Sequence, residues 1–259
     1  MTNRELYGTG SRTDILHRNV SKFLARWFGP AHVDCPMCGR RCRDGVRTGA
    51  NLALCGRCYA DIPWIERPQC ETCGRSAHCP DCRRGIPRRF VCNRAAVRYS
   101  PEMKRWLARY KFRGDERLAA LFGWMLKIAF ERHYAGLDVS AVAFVPVGAE
   151  RLLERGFDQT ERMAAWFARS AGLPLVSLLV RVRDVGKQSV RTRRERLAVV
   201  GGRFAARPDA VLEDRTTSKT RPAVLLVDDV YTTGSTLDEC AAAIRARWAV
   251  DVYGLTWAR

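Results

Sequence analysis

A string near the carboxyl end, Val224 to Thr236, constrains the fold more than any other stretch of this chain. It reads V-L-L-V-D-D-V-Y-T-T-G-S-T. Its four branched apolar residues in succession predict a strand buried on both faces, which is typical of a parallel sheet covered by helices. We expect this strand to stop at Asp228 and Asp229, and a helix to begin at Leu237 after a short loop. The string therefore predicts an α/β fold with an open, mainly parallel sheet flanked by helices.

The loop between the acids and the helix has the composition of a phosphate site. Gly234 permits a positive φ and a close approach of backbone to ligand, and N–H groups at a helix N-terminus favour an anion. Two acids suit the hydroxyls of a ribose, or a Mg²⁺ ion. The order predicts a ribose 5-phosphate pocket at the carboxyl end of a strand, where open α/β sheets bind ligands. The alternative is a strand that merely ends in Asp-Asp before a turn-rich connection.

This string resembles the 5-phosphoribosyl 1-pyrophosphate (PRPP) signature of the type I phosphoribosyltransferases, in which a hydrophobic strand, an acid pair and a T-T-G-x-T loop follow one another. The resemblance implies a phosphoribosyltransferase-like sheet and a PRPP site that uses Mg²⁺. Asp228 and Asp229 would hold the ribose hydroxyls and the metal. The loop residues that would cradle the 5′-phosphate are Thr232, Thr233, Gly234, Ser235 and Thr236.

An earlier strand pattern, Ala141 to Val147, is interrupted at Pro146 and precedes the segment G-A-E-R-L-L-E-R-G-F-D-Q. Because a second anion loop can follow such a strand, we expect Arg151 and Arg155 to supply positive charge for a pyrophosphate group. Apolar periodicity predicts further helices from Pro101 to about Gly114, 116–133 and 159–171, and a strand over 175–182. Residues 183–196 have the composition of a mobile cationic loop or a solvated linker, and 207–221 of a surface insertion.

Eight of the eleven cysteines form four C-x2-C pairs, which is the spacing of zinc ligands. The pairs are Cys35 with Cys38, Cys55 with Cys58, Cys70 with Cys73, and Cys79 with Cys82. They are enough for two Zn²⁺ sites of four cysteines each. Sequential pairing of the first knuckle with the second, and the third with the fourth, is our preferred interpretation. An interleaved pairing, or a single zinc ion, stays open.

Positive charge dominates the chain, with 45 Lys plus Arg against 27 Asp plus Glu and a formal net charge of +18. Such a charge favours polyanionic partners, although an arginine-rich proteome would bias every surface in the same way. Arginines crowd the cysteine segment, with Trp64 and Phe90 nearby. Arginine with interleaved aromatic rings can hold single-stranded nucleic acid through phosphate contacts and base stacking. The alternative is a purely structural zinc module.

Three segments are predicted: a basic amphipathic extension over residues 1–34, a cysteine-rich zinc module over 35–92, and a phosphoribosyltransferase-like domain over 93–259. The extension carries apolar residues at helical spacing and would pack on its own domain, dock on a partner or contact a membrane surface peripherally. We find no apolar run long enough to cross a membrane and no secretory signal, so we expect a cytoplasmic protein.

Several motifs in order resemble the ComF family of competence-associated phosphoribosyltransferase-like proteins. They are the four cysteine knuckles, Y-K-F-R-G-D around Lys111, R-L-L-E-R-G-F-D-Q from Arg151, Q-S-V-R-T-R-R-E-R-L from Gln188, and the Val224 string. Asp158 stands where the family usually has Asn. The resemblance implies handling of incoming single-stranded DNA during natural transformation, with competence helicases or recombination mediators as partners.

Two functions of different classes follow from these features. The chain could be a transferase that moves the phosphoribosyl group of PRPP to an acceptor that the sequence does not reveal. It could instead be a non-catalytic single-stranded nucleic-acid-binding accessory, whose pocket senses PRPP or is degenerate. Pyrophosphate release would mark the first, and single-strand affinity that falls steeply with salt would mark the second.

Overall fold

The computed structural model describes residues 33–42, 45–48, 52–83, 87–112, 115, 117–182, 202–213 and 221–259. The predicted amphipathic helix of the N-terminal extension, the cationic segment 183–196 and the motif that begins at Gln188 lie outside the described residues. Only the first part of the predicted insertion, 207–213, is described.

Small strands and short helices make up the cysteine-rich part, and a sheet with long helices follows it. The strands are β1 (Val33–Asp34), β2 (Arg41–Cys42), β3 (Val46–Arg47), β4 (Ala53–Leu54), β5 (Asn93–Val97), β6 (Val139–Phe144), β7 (Leu179–Arg181), β8 (Phe204–Ala206), β9 (Ala223–Val230) and β10 (Asp251–Ala258). The helices are α1 (Gly56–Ala60), α2 (Pro80–Arg83), α3 (Pro101–Phe112), α4 (Arg117–His133), α5 (Ala149–Arg155), α6 (Gln159–Ala171) and α7 (Ser235–Arg245).

Four strands form a parallel sheet in the order β5-β10-β9-β6. The predicted strand is β9, which lies between two neighbours, and its residues from Ala223 to Val227 are buried. The strand does not stop at the acid pair, as predicted, but continues through both acids to Val230. It continues because β10 is long enough to pair with it there, Thr256 with Asp228 and Ala258 with Val230.

Helices cover both faces of the sheet, and this confirms the predicted α/β class. Alternate residues of β9 point to opposite layers: Leu225 and Val227 pack with α3, α4 and α6, whereas Val224 and Leu226 pack with α7 and the β7–β8 hairpin. We call these the α4 layer and the α7 layer. Alternating burial on two apolar faces is why the strand reads as a continuous hydrophobic run.

Most helix predictions hold at the level of whole elements. Ser100 Oγ accepts from Met103 N at 3.2 Å at the start of α3, as its capping position predicts. Gly172 ends α6 with a φ of +69°. The α7 helix begins at Ser235, two residues before the predicted start, because Gly234 already acts as its N-cap.

Two strand predictions have the wrong extent. The pattern over 175–182 contains only the short strand β7, which pairs with β8 in an antiparallel hairpin outside the main sheet. Leu175 makes a single bridge to Val142. The pattern over 141–147 ends as a strand at Phe144, shortly before Pro146, which cannot donate to a sheet ladder. Among the described residues, no helix combines the length and the apolarity that crossing a membrane requires.

Candidate functional site

The predicted acids lie together at the carboxyl end of β9. Lys111 Nζ, near the end of α3, forms an ion pair with Asp229 Oδ2, and both side chains are largely buried, at 19% and 15% exposure. The Asp229 backbone N–H donates to Asp228 Oδ1 at 2.8 Å. Lys111 belongs to the motif Y-K-F-R-G-D and was not among the residues predicted for the site. The spacing of apolar residues on α3 does not indicate that Lys111, near the end of this helix, contacts an acid far along the chain.

Burial and the close approach of a second acid and one lysine shift the pKa of Asp228. Burial raises the pKa of Asp228 well above its ordinary value, the neighbouring charge of Asp229 raises it further, and Lys111 opposes both effects. A carboxylate in this position is therefore stabilised by any additional cation. Carboxylate oxygens are the donors that Mg²⁺ prefers, so the pair has the right chemistry for that ion.

The predicted phosphate loop connects β9 to α7. Gly234 has a φ of +82° and, as N-cap, provides no side-chain acceptor for the first N–H groups of α7; the Ser235 N–H instead donates to Thr233 Oγ1 at 3.4 Å. A Cβ at Gly234 would lie 2.1 Å from Tyr231 Oη, which excludes a larger residue for a second reason. The Thr233 and Ser235 hydroxyls are 3.0 Å apart. The loop thus presents hydroxyls and helix N–H groups, which together suit a phosphate.

Beneath the loop lies the Tyr231 side chain, which the sequence analysis did not single out. The residue is 4% exposed, and its hydroxyl has no hydrogen-bond partner within the described part of the chain. Its ring packs edge-on against Phe90 and lies under the Arg259 guanidinium, 4.8 Å from ring centroid to Cζ. Tyr231, which lies beneath the phosphate loop, therefore packs between a residue that precedes β5, Phe90, and one that follows β10, Arg259.

The two arginines predicted for pyrophosphate lie on α5, which follows β6 and so starts at the same edge of the sheet as the acid pair. Arg151 is exposed. Arg155 stacks over the Phe112 ring at 5.2 Å and donates to Gln159 Oε1 at 2.8 Å. Phe112 is the neighbour of Lys111, so the end of α3 brings Arg155 to the acid-pair side of the sheet.

Asp158, the departure from the family pattern, caps α6. Its Oδ1 accepts from Thr160 N at 2.8 Å and Glu161 N at 3.0 Å, and its Oδ2 accepts from Val147 N at 2.9 Å. Burial raises its pKa although these three donors oppose the shift. An asparagine has one acceptor oxygen and could not satisfy both groups of donors. Asp158 thereby ties the loop after β6 to the start of α6.

Two four-cysteine clusters confirm the sequential pairing, and the described residues show no interleaved set. Cluster one contains Cys35, Cys38, Cys55 and Cys58, and cluster two contains Cys70, Cys73, Cys79 and Cys82. Within each cluster the sulfur atoms all lie within 4.8 Å of one another. Tetrahedral zinc, with Zn–S distances of about 2.3 Å, requires sulfurs about 3.8 Å apart. The measured 3.7 Å between Cys38 and Cys55, and 3.5 Å between Cys73 and Cys79, fit this requirement.

In each cluster a backbone N–H favours the thiolate form of one cysteine, Cys55 or Cys79, whereas burial raises the pKa of the second cysteine of the same knuckle, Cys58 or Cys82. The Cys58 N–H donates to Cys55 Sγ at 3.5 Å, and this bond above all lowers the pKa of Cys55 to about 7. Burial raises the pKa of Cys79, but donors led by the Cys82 N–H outweigh it and bring the pKa to about 7. Glycines follow the second cysteine of a knuckle in each cluster, with φ of +70° at Gly39 and +73° at Gly74.

Cluster two contacts the sheet through residues that sequence patterns did not reveal. Buried Asn93 donates from Nδ2 to the Cys73 carbonyl at 3.2 Å and to Thr256 Oγ1 at 3.1 Å. Arg259 Nη2 donates to Cys73 Sγ at 3.4 Å. Neither contact has a local sequence signal, because each joins segments far apart in the chain.

Comparison with known proteins decides the family. The chain is 30% identical over 200 residues to competence protein ComFC of Bacillus subtilis (strain 168), a match that covers 74% of this chain and 77% of the relative. This chain belongs to the ComF family of competence proteins. It is also 27% identical over 234 residues to ComFC of Streptococcus pneumoniae, covering 85% of this chain and 97% of the relative. Competence protein F of Haemophilus influenzae is 26% identical over 228 residues, covering 83% and 94%.

No family model matches the chain. Two solved structures resemble part of it: the allosteric regulatory enzyme of purine biosynthesis, with 19% identity and a TM-score of 0.35, and glutamine PRPP amidotransferase from B. subtilis complexed with ADP and GMP, with 18% identity and a TM-score of 0.34. Each match covers 54% of this chain and about a quarter of the enzyme, 25% and 26%. TM-scores this low do not bear on the function of the chain.

Proposed function

We propose that this ComF-family chain binds PRPP or ribose 5-phosphate together with Mg²⁺, and that it acts in the cytoplasm on DNA taken up during natural transformation. The observation that carries the proposal is the succession of acid pair, glycine loop and helix N-terminus at the carboxyl end of β9. One end of this site suits hydroxyls and a cation, and the other suits a phosphate. Ribose 5-phosphate combines these groups in one small molecule.

Each predicted residue has a role in this proposal. Asp228 and Asp229 accept from the ribose hydroxyls and would hold Mg²⁺, which neutralises charge on a pyrophosphate group. Residues 232–236 donate to the 5′-phosphate from hydroxyls and backbone N–H groups. Arg155, with Arg151 beside it on α5, supports the pyrophosphate. Lys111 offsets part of the acid-pair charge.

If the chain is a transferase, the bond between C1 of the ribose and the pyrophosphate oxygen breaks, and a new bond joins C1 to an acceptor that loses a proton. Pyrophosphate leaves with the electron pair of the broken bond. If the chain is a sensor, the pocket binds the same ligand without turnover. Release of pyrophosphate in the presence of an acceptor distinguishes the two.

Calorimetric titration of PRPP with Mg²⁺ into the zinc-loaded chain tests the pocket. The Asp228→Asn, Asp229→Asn double variant should lose binding, whereas Glu131→Gln, which removes an exposed acid on α4, should bind like the wild type. Binding should strengthen as the pH rises through the elevated pKa of Asp228, because the metal and the proton compete for that carboxylate. Wild-type and double-variant chains with equal affinities would contradict the proposal.

A surface of three aromatic rings favours a second function, the binding of single-stranded DNA. Tyr59, Trp64 and Trp124 are partly exposed, and their ring centroids lie 5.9–6.4 Å apart. Arg57, on the same short helix as Tyr59, has a side chain that is 75% exposed. Stacking of bases on such rings tolerates any sequence, and arginines bind the phosphates between them.

Replacement of both tryptophans of this surface, Trp64→Ala with Trp124→Ala, should weaken oligo-dT binding by at least about tenfold, since each stacked base contributes about 1–3 kcal/mol. Trp166→Ala is the control, because Trp166 is an exposed tryptophan on α6 that packs with Arg169 and lies outside the three-ring group. Fluorescence anisotropy of labelled oligonucleotide over a range of salt concentrations measures the effect. An equal loss in the control would show that the three rings are not the binding surface.

A further inference from the structure

Arg88 lies in the connector that joins cluster two to β5, and its side chain reaches the phosphate loop. Its Nη2 donates to the Thr233 carbonyl oxygen at 3.1 Å, across a sequence separation of 145 residues. The guanidinium is thus a cation held directly against the loop assigned above to a phosphate. Arg88 was not among the residues predicted for the pocket, because its position near the cysteines in the chain gives no sign of this contact.

The connector around Arg88 is itself held in place from both sides. Arg89 donates to Asp238, in the first turn of α7, from its backbone N–H at 2.6 Å and from Nη1 at 2.7 Å. Arg245 Nη1 donates back to the Arg89 carbonyl at 3.1 Å. Phe90 is buried against the Tyr231 ring beneath the loop. Arg88 therefore approaches Thr233 from an anchored backbone.

A hydrogen bond to the Thr233 carbonyl also fixes the direction of the Gly234 N–H, on the opposite side of the same peptide. The Thr233 carbonyl and the Gly234 N–H belong to one planar peptide unit, in which the two groups point in opposite directions when the bond is trans. Glycine accepts positive and negative φ about equally, so the orientation of this peptide needs an outside constraint. A charged donor on the carbonyl supplies that constraint, and it also polarises the N–H.

We propose that Arg88 is a positioning residue for the 5′-phosphate, acting through the Thr233 carbonyl to aim the Gly234 N–H into the loop. This inference rests on the proposed function and deepens it, because it makes the connector of the cysteine-rich part a component of the phosphate site. The ligand class that needs Arg88 is a phosphate monoester such as ribose 5-phosphate. A ligand without that group, such as Mg²⁺-pyrophosphate, does not need it.

Three full-length, zinc-loaded variants test the inference. Arg88→Met removes the donor and keeps the length of the side chain, Arg88→Lys keeps the charge, and Arg105→Met removes an exposed charge elsewhere, on α3. Arg88→Met should bind ribose 5-phosphate roughly tenfold more weakly, the usual effect of losing a hydrogen bond to a charged group. Arg88→Lys should recover part of that loss. Arg105→Met should match the wild type, and Mg²⁺-pyrophosphate affinity should be unchanged in all three.

The Gly234 amide resonance in two-dimensional NMR of the ligand-free chain gives a readout independent of binding. It should shift in Arg88→Met and stay in place in Arg105→Met, with equal zinc content in both. Unchanged ribose 5-phosphate affinity and an unmoved Gly234 resonance in Arg88→Met would overturn the inference and leave the proposed function standing. A wild-type chain that binds neither ribose 5-phosphate nor PRPP would overturn the proposed function, and the role of Arg88 with it.

Discussion

The two cysteine clusters each consist of four cysteines, yet they pack on opposite faces of the sheet. Cys35 and Cys55 of cluster one are buried in the α4 layer, whereas Cys73 and Cys79 of cluster two are buried in the α7 layer. The connection between them, 59–69, crosses from one side to the other, and Trp64 makes an isolated bridge to Val97 at the end of β5 on the way.

Each cluster lies behind a different half of the proposed pocket. Cluster one contacts α3, where Arg109 Nη1 donates to the Met37 carbonyl at 2.7 Å, and α3 carries the Lys111 partner of Asp229. Cluster two contacts Arg259, which stacks on Tyr231 under the phosphate loop. Four cysteines can thus support two unrelated local structures, and damage to each cluster should harm a different half of the site.

The largest effect is expected from removing one cluster at a time. Cys79→Ser with Cys82→Ser, and Cys55→Ser with Cys58→Ser, should each reduce zinc from two ions per chain to one and lower the Tm by about 10 °C or more, because structural zinc contributes several kcal/mol of folding free energy. Metal analysis and calorimetry measure both quantities. Only the cluster-two variant should also shift the Gly234 amide resonance. A shift of that resonance in both variants would contradict the division of roles.

A smaller effect is expected from Lys111, on the cluster-one side. Lys111→Met leaves Asp229 without its cation in a largely buried position, so the free energy of unfolding should fall by about 3 kcal/mol. Adding Asp229→Asn to this variant should restore part of the stability, since the unpaired charge is then gone. Denaturant unfolding of the single and double variants measures the coupling. Additive losses would mean that the two side chains do not interact, and a loss of zinc would mean that cluster one depends on them.

The smallest effect is expected from Arg259, on the cluster-two side. Arg259→Met removes the N–H that Cys73 Sγ accepts, and loss of such an outer partner usually lowers metal affinity by about tenfold. Competition with a chromogenic chelator should show one weakened zinc and one unchanged zinc. Arg247→Met is the matched control, because Arg247 stacks on Trp248 and bonds the 207–210 turn, away from both clusters. Zinc affinities in Arg259→Met that equal those of the wild type at both sites would contradict the supporting role of Arg259 for cluster two.

Local sequence patterns correctly predicted the features that depend only on residues close together in the chain. Glycine, proline and capping residues predicted the limits of α3 and α6 within a few residues, and the Cys-x2-Cys spacing predicted the two clusters and their pairing. The prediction failed where a neighbour decided the outcome. The β9 strand runs past its acids because β10 pairs with it, and residues 175–182 are mostly not strand because only three of them find a partner in β8.

Residues adjacent in the chain specify the chemical groups of this protein: two acids, a glycine loop, a helix start and eight thiols. The partners of these groups depend on the packing of the whole fold. Lys111 reaches Asp229, Arg88 reaches Thr233 and Arg259 reaches Cys73 across more than a hundred residues. A periodicity or a spacing reports the few residues around it. Contacts between distant segments depend on how the layers pack, which no local pattern encodes.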